Sequence, residues 1–436
     1  MGLGLGLGLG LRSGGSGGEP WYTLGKADGV DPTFWADFIN NRYAVNGVEY
    51  AYSDLFTHTR STTGTRFNSS GQMVTEAINE PRFNFDPVTL ATKGLLLEEQ
   101  RTNILTRSDV PFTSWSTSGG SKTASGDTFL GYFTNGAVIA TSGVIWNGQI
   151  VATTNWVSGT VYSWSLFVKA GTSGKVLMYL RDYTAGIESA MEGTLGTTLT
   201  AINVSAGAIT NTNFISVDGG YIYYGTFTPN STPLSSTLRI SPASLVAGET
   251  VIVYGAQLEA GAFPTSFIAT AAGAVTRGAD SILNSSANVV PFASWYNATE
   301  GCFNPTFKYI GMTVAEYPKI MMATDAGETN RIGVLINDSA TPTVDFHSFV
   351  GGTYQGIGTP ALNPTNIITK AAGSYKNNDG AIARNGASPT TDAVFGIPTV
   401  DRLKVISAAI PTCVYMREAR YYNQRITNAE LTRITT

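Results

Sequence analysis

Apolar and polar positions along this chain fall into short runs that favour strands over helices. VYSWSLFVKAG alternates in part, and Ala170-Gly171-Thr172-Ser173-Gly174 then turns the chain into KVLMYLRDY. DGGYIYYGTFTP, STLRISPA and ETVIVYGAQLEAG follow, separated by turn residues at the spacing expected of a two-sheet jelly roll. A second series runs through GCFNPTFKYIGM, KIMMATD, NRIGVLIND, TVDFHSF, NIITKAAGSYKNNDGAIARNG and DRLKVISAA. Nearer the start, NRYAVNGVEYAYSDLF places Asn-Gly between β-rich segments, a strong hairpin signal, and Ser70-Gly71 in SSGQMVTEA repeats it. No long segment of helical period occurs. Only MREARYYNQRITNAELTRITT changes character: a strand, a tight turn at Asn423-Gln424, then a short helix capped by Thr427 with Glu430 three positions on. The pattern predicts an all-β, multi-domain chain. Residues 1–20 form a Gly/Leu-rich arm, 21–105 an attachment and connector region, 106–272 one sandwich, 273–290 a polar linker and 291–436 a second sandwich.

Composition narrows the function. The 436 residues suffice for two or three cores, and only 13% are charged, against the usual share of roughly 25%. A net charge of -4 with no basic stripe argues against nucleic acid and against an anionic membrane surface as partners. No stretch of about 20 apolar residues is present, so membrane insertion is not expected. Cys302 and Cys413 are too few for a disulfide framework, and with His58 and His347 they lack zinc spacing. No metal and no cofactor is predicted. The opening MGLGLGLGLGLRSGGSGGEP lacks the basic start of a signal peptide, and Gly6 stands where myristoylation expects Ser or Thr. Extended, it lines Leu3, Leu5, Leu7, Leu9 and Leu11 along one edge, which suits an arm that orders by docking on a partner.

The run PRFNFDPVTLATKGLLLEEQRTNIL is too apolar for a linker and too polar for a core strand. Glu98 and Glu99 are adjacent, so in a strand they face opposite ways and converge poorly on one glycosidic bond. The better reading is an ionic clasp in which Arg82 and Arg101 pair with Glu98, Glu99 or Asp86 and pin the segment between domains. A Ser-His-Asp triad on His347 lacks a Gly-x-Ser-x-Gly elbow, and no phosphate-binding loop is present. No catalytic residue is predicted. Sugars are recognised by aromatic faces flanked by polar groups. Trp115, Trp146, Trp156, Tyr183, Trp295 and Tyr354 lie in or beside loops and are the candidate glycan-binding residues, whereas Trp164 should be structural. The sequences NNDG at 377–380 and DGVD at 28–31 offer oxygen ligands for calcium, but neither completes an EF-hand loop and a turn is the better reading.

The stretch Phe56–Leu105 resembles a module recurrent in tailed-bacteriophage and prophage structural proteins. The likeness rests on Phe56–Thr63, Pro81–Asp86 and above all Gly94–Leu105, and departs at Thr59-Arg60-Ser61-Thr62 and at Asn84. WSLFVKAG and VYGAQLEAGAFPTSFIATAAGAVTRGAD are similar to that family's carbohydrate-binding-module-like jelly roll. The C-terminal unit, ending in ARYYNQRITNAELTRIT, resembles a concanavalin A-like, laminin G-like sandwich. The resemblance implies a virion structural protein, a tail or head fibre, spike or decoration, assembled in the host bacterial cytoplasm and joined to other virion proteins by its N-terminal arm. It further implies a homo-oligomer, trimeric by analogy, that binds host surface polysaccharide as a receptor. A purely structural head-decoration, collar or tail protein is the alternative, and a polysaccharide depolymerase the weaker one.

Overall fold

A computed structural model describes residues 19–109, 111–144, 146, 149–311, 317–337, 342–359, 365–405 and 412–436. Antiparallel sheets dominate, as the all-β reading expects, and they build two sandwiches. The arm leucines Leu3 to Leu11 lie outside the described residues.

One sandwich draws on both ends of the chain. Its ten-stranded sheet runs in the order Val48–Tyr50, Arg42–Val45, Phe34–Asp37, Cys413–Tyr422, Glu300–Gly311, Ile368–Lys376, Asp379–Arg384, Thr390–Asp392. Thr92–Leu97 also pairs with the first half of Cys413–Tyr422 and carries Arg82–Phe85 on its far side. The facing seven-stranded sheet runs Thr353–Gly358, Thr343–Val350, Arg331–Asn337, Lys319–Thr324, Arg402–Val405, Ser281–Asn284, Thr57–Thr59. Phe34, Leu95 and Leu97 share its core with Phe303, Phe307, Phe346, Tyr375 and Tyr421. The region 21–105 therefore differs from a separate attachment and connector unit. Its apolar residues complete a sheet whose other strands lie more than two hundred residues later, and a strand with one buried face cannot stand alone.

The second sandwich is inserted between Leu97 and Ser281. An eight-stranded sheet contains Tyr162–Ala170 between Thr250–Ala260 and Gly220–Pro229. It faces a six-stranded sheet centred on Lys175–Asp182 and Ser236–Ser241. Trp164, Met178, Leu180, Tyr223, Phe227 and Leu258 fill the space between them. The hairpin Gly64–Phe67 with Met73–Glu76 packs outside the eight-stranded sheet, where Met73 meets Phe129, Phe133, Phe167 and Phe267.

The chain enters and leaves the insert side by side. Arg101–Asn103 pairs antiparallel with Val275–Arg277, so residues read as a linker at 273–290 begin with a strand. Ser281–Asn284 then returns to the first sandwich. The turn at Asn423-Gln424 and the closing helix fall as expected, the helix spanning Asn428–Thr435 with Thr427 as its N-cap. The Thr427 hydroxyl does not cap its own helix; it donates to the Asp28 carboxylate at 2.8 Å and ties the end of the chain to its beginning.

Candidate functional site: an ionic seam and an aromatic cleft

The phrase GLLLEEQRTN is explicable residue by residue. Gly94 has φ +96°, and a Cβ there would sit 2.3 Å from the Met416 carbonyl oxygen, so only glycine lets the two strands approach. Leu95 and Leu97 point into the core. Glu98 turns to the seam between the sandwiches, accepting from Arg82 at 2.6 Å and lying 3.0 Å from Arg277. Its oxygens also accept from the backbone and hydroxyl of Ser266, both at 2.7 Å. Glu99 faces away and pairs with Arg101, whose guanidinium lies over Phe263 and donates to the Ala260 carbonyl. Asn103 donates to Ile268 at 2.8 Å and accepts from Leu258 at 3.1 Å.

The seam holds more charge than the sequence reading placed there. Asp280 joins Arg82, Arg60 at 3.0 Å and His58 at 3.2 Å, all buried. Burial opposes a charge on Asp280, yet Arg82, His58 and Arg60 hold its carboxyl well below the usual range. Glu98 is also held down, as Arg277, Arg82 and Ser266 outweigh burial. Glu259 moves the other way, raised by burial despite Arg101 and Arg277. Asp86 departs from the expected clasp. It caps its own turn through Val88 and Thr89 and pairs with Lys93 at 3.1 Å, because its strand starts in the seam at Arg82 and carries the chain away from it. Asp280, Arg60 and Arg277 lack any local pattern that marks them; only the pairing of the inbound and outbound strands brings them together.

The six aromatic candidates separate by burial. Trp115, Trp156 and Trp295 are core residues, a correction to their reading as a binding surface. Trp115 donates to the Arg107 carbonyl at 2.8 Å, Trp156 packs edge-on against Phe227, and Trp295 donates to Asn284 at 3.2 Å. Loops in this protein pack down on sheet ends, and large rings fill the gap. Trp164 is buried, as its strand position implies. Trp146 is half-buried against Tyr179 on the outer face of the six-stranded sheet. Exposed Tyr183 stands on that same insert beside Arg181 and Arg239, 5.3 and 5.2 Å from its ring centre.

Tyr354 stands at a cleft on the outer face of the seven-stranded sheet. The cleft has a cavity volume of about 410 Å³, within the range of small-ligand sites. Alternation in NRIGVLIN and TVDFHSFV sends Ile332, Val334, Val344 and Phe346 into the core, leaving the intervening residues outward. The register then sets rungs across Arg331, Phe349 and Tyr354, across Gly333, His347 and Gly356, and across Leu335, Asp345 and Gly358. The middle rung is His347 between two glycines. A Cβ on Gly356 would sit 2.1 Å from the Tyr354 hydroxyl, so the missing side chain is what lets that ring lie across the strand to His347. His347 Nε2 lies 3.1 Å from this hydroxyl and 3.3 Å from Asp345, which also accepts from Thr343 at 2.7 Å. Burial, with Asp345 and Tyr317 nearby, raises the Tyr354 phenol. Tyr317 and Phe349 add aromatic walls, and Lys319, Glu328 and Arg331 close one side. Ser348 points to the opposite face and donates to Gly396 at 2.6 Å, so the serine next to His347 in the chain forms no triad with it. Tyr317, Phe349 and Arg331 escaped the sequence reading, although alternation within TVDFHSFV marks Asp345, His347 and Phe349 as one face.

Among the described residues no cluster of three His, Cys, Asp or Glu side chains is arranged to hold a metal, and both cysteines are buried free thiols. Residues 376–379 form a hairpin turn, and Asp28 serves the closing helix.

A scan against protein-family models finds no match, and a search of curated proteins finds none. Among solved structures, the chain is similar to the Ruminococcus gnavus IT-sialidase CBM40 bound to α2,3-sialyllactose, with 12% identity, TM-score 0.30, 35% of this chain and 89% of that one. It is similar to Trypanosoma rangeli sialidase in complex with sialic acid, with 10% identity, TM-score 0.27, 66% of this chain and 61% of that one. Mouse laminin α1 domains LG4-5 give 13% identity, TM-score 0.22 and coverages of 62% and 85%. These likenesses are too distant to decide what this chain does.

Proposed function

We propose that this protein is a fibre- or spike-type component of a tailed-bacteriophage particle that binds host surface glycan through the cleft at Tyr354. The phage assignment rests on the Gly94–Leu105 phrase and its surroundings, and the glycan assignment on one observation. Tyr354, Tyr317 and Phe349 surround a glycine-floored trough whose base carries the buried polar pair Asp345 and His347. Ring faces of this kind cover pyranose C–H groups, and polar groups at the base take hydroxyls. In this reading the N-terminal arm joins the protein to other virion proteins, and the chain works as a homo-oligomer. A glycan array of the purified full-length protein tests the binding half: signal on at least one surface polysaccharide is expected, and a blank array would count against it. Gold-labelled particles test the rest, with the protein expected on the virion.

A further inference from the structure

Charge around the cleft is lopsided. Lys319, Arg331 and Lys404 come from three strands of the seven-stranded sheet and crowd one carboxylate, Glu328. Glu328 bridges Lys319 and Lys404, the latter at 2.5 Å. Arg331 lies on the Phe349 ring, 3.6 Å from its centre, and donates to the Glu328 carbonyl at 2.6 Å. Among the described residues no carboxylate lies within ion-pair distance of Arg331. The other acids nearby are engaged: Asp325 accepts from Asn330, Asp401 pairs with Arg402, and Asp345 accepts from Thr343 and meets His347. The result is a positive corner, beside aromatic walls, in a protein of net charge -4.

We propose that the cleft selects an acidic sugar residue, its carboxylate pairing with Arg331 while its ring lies against Tyr354. This rests on the glycan reading above and adds to it the sign of the ligand. Planar guanidinium suits a carboxylate better than a hydroxyl, and its position on Phe349 holds it ready at little entropic cost. Burial, then Arg331 and Lys404, push the Lys319 ammonium down to about 8 even though Glu328 pairs with it, because three cations crowd that one carboxylate. A bound anion supplies a second negative charge. Affinity for an acidic glycan therefore falls as pH rises through this value, where Lys319 loses its proton, and falls with added salt. The Tyr354 phenol, raised by burial, carries no charge in that range to reverse the trend, and Arg331 stays cationic throughout.

The test is titration of the full-length protein with matched pairs: oligogalacturonate and its methyl ester, glucuronyl-capped and uncapped oligosaccharides, sialylated and unsialylated lactose. The acidic member of at least one pair is expected to bind about tenfold tighter or better. Arg331→Met, which keeps the stem over Phe349, is expected to abolish the preference while the protein keeps a single cooperative thermal unfolding transition. A neutral member that binds as well as its acidic partner in every pair overturns this inference alone. So does a preference that survives Arg331→Met. Failure of every member, acidic and neutral, overturns the glycan reading itself.

Discussion

Asp280 shows how one side chain fixes a junction between domains. Its carboxylate meets Arg82, Arg60 and His58, and its neighbour in the seam, Glu98, meets Arg82 and Arg277. Asp280→Asn would leave the buried Arg60 guanidinium without its anion and Arg82 with only Glu98, and the expected loss is about 3–5 kcal/mol in thermal or denaturant unfolding. The pH dependence follows from the same pairs. Asp280 and Glu98 are held below their unfolded values, so their stabilisation is complete above about pH 5 and is lost progressively as pH falls toward their folded values. Glu259, raised by burial, opposes this in part, because acid relieves its cost. Unfolding followed from pH 7 to pH 2 should show stability falling at the acid end, and the fall should be shallower in Asp280→Asn. At the cleft, Gly356→Ala sets a methyl group against the Tyr354 hydroxyl, the mobile end of a side chain. It is expected to weaken glycan binding at least fivefold, with unfolding shifted by less than about 1 kcal/mol.

At the scale of elements, turns and strands were legible and partners were not. The Asn46-Gly47 hairpin, the hairpin over 64–76 and the closing helix follow from local chemistry that acts within a few residues. That Phe34–Asp37 pairs with Glu418–Tyr421 is written in no local pattern, since any strand with one apolar face fits many neighbours. The clasp was partly legible because opposite charges cluster in one phrase; Asp280 and Arg277 were hidden by sequence distance. The same pairing yields a further expectation. A fragment of residues 291–436 lacks Phe34–Asp37, Thr92–Leu97 and Ser281–Asn284, and with them core residues Phe34, Leu95, Leu97 and Ile282. It is expected to be insoluble or to lack a cooperative unfolding transition, whereas full-length protein unfolds cooperatively. A stable, cooperative fragment would show that the early strands are dispensable.

For the whole molecule, the seam links two sandwiches whose exposed aromatic groups differ. The insert carries Tyr183 between Arg181 and Arg239, and the discontinuous sandwich carries Tyr354 over a trough floored with glycine. Sequence could name both tyrosines as surface candidates, but which of them borders a cavity depended on register across four strands. Low charge along the chain leaves few ionic contacts on its surface, which concentrates polar recognition in a small part of it. The central claim is that this part is the Tyr354 cleft. Its most direct test is the affinity of full-length protein for its best array glycan, measured by calorimetry beside Tyr354→Ala and Tyr183→Ala, with unchanged circular dichroism required of both. The account expects Tyr354→Ala to lose at least tenfold, about 1.4 kcal/mol, and Tyr183→Ala to bind as the wild type does. Undiminished binding by Tyr354→Ala, with the loss falling on Tyr183→Ala, would contradict it.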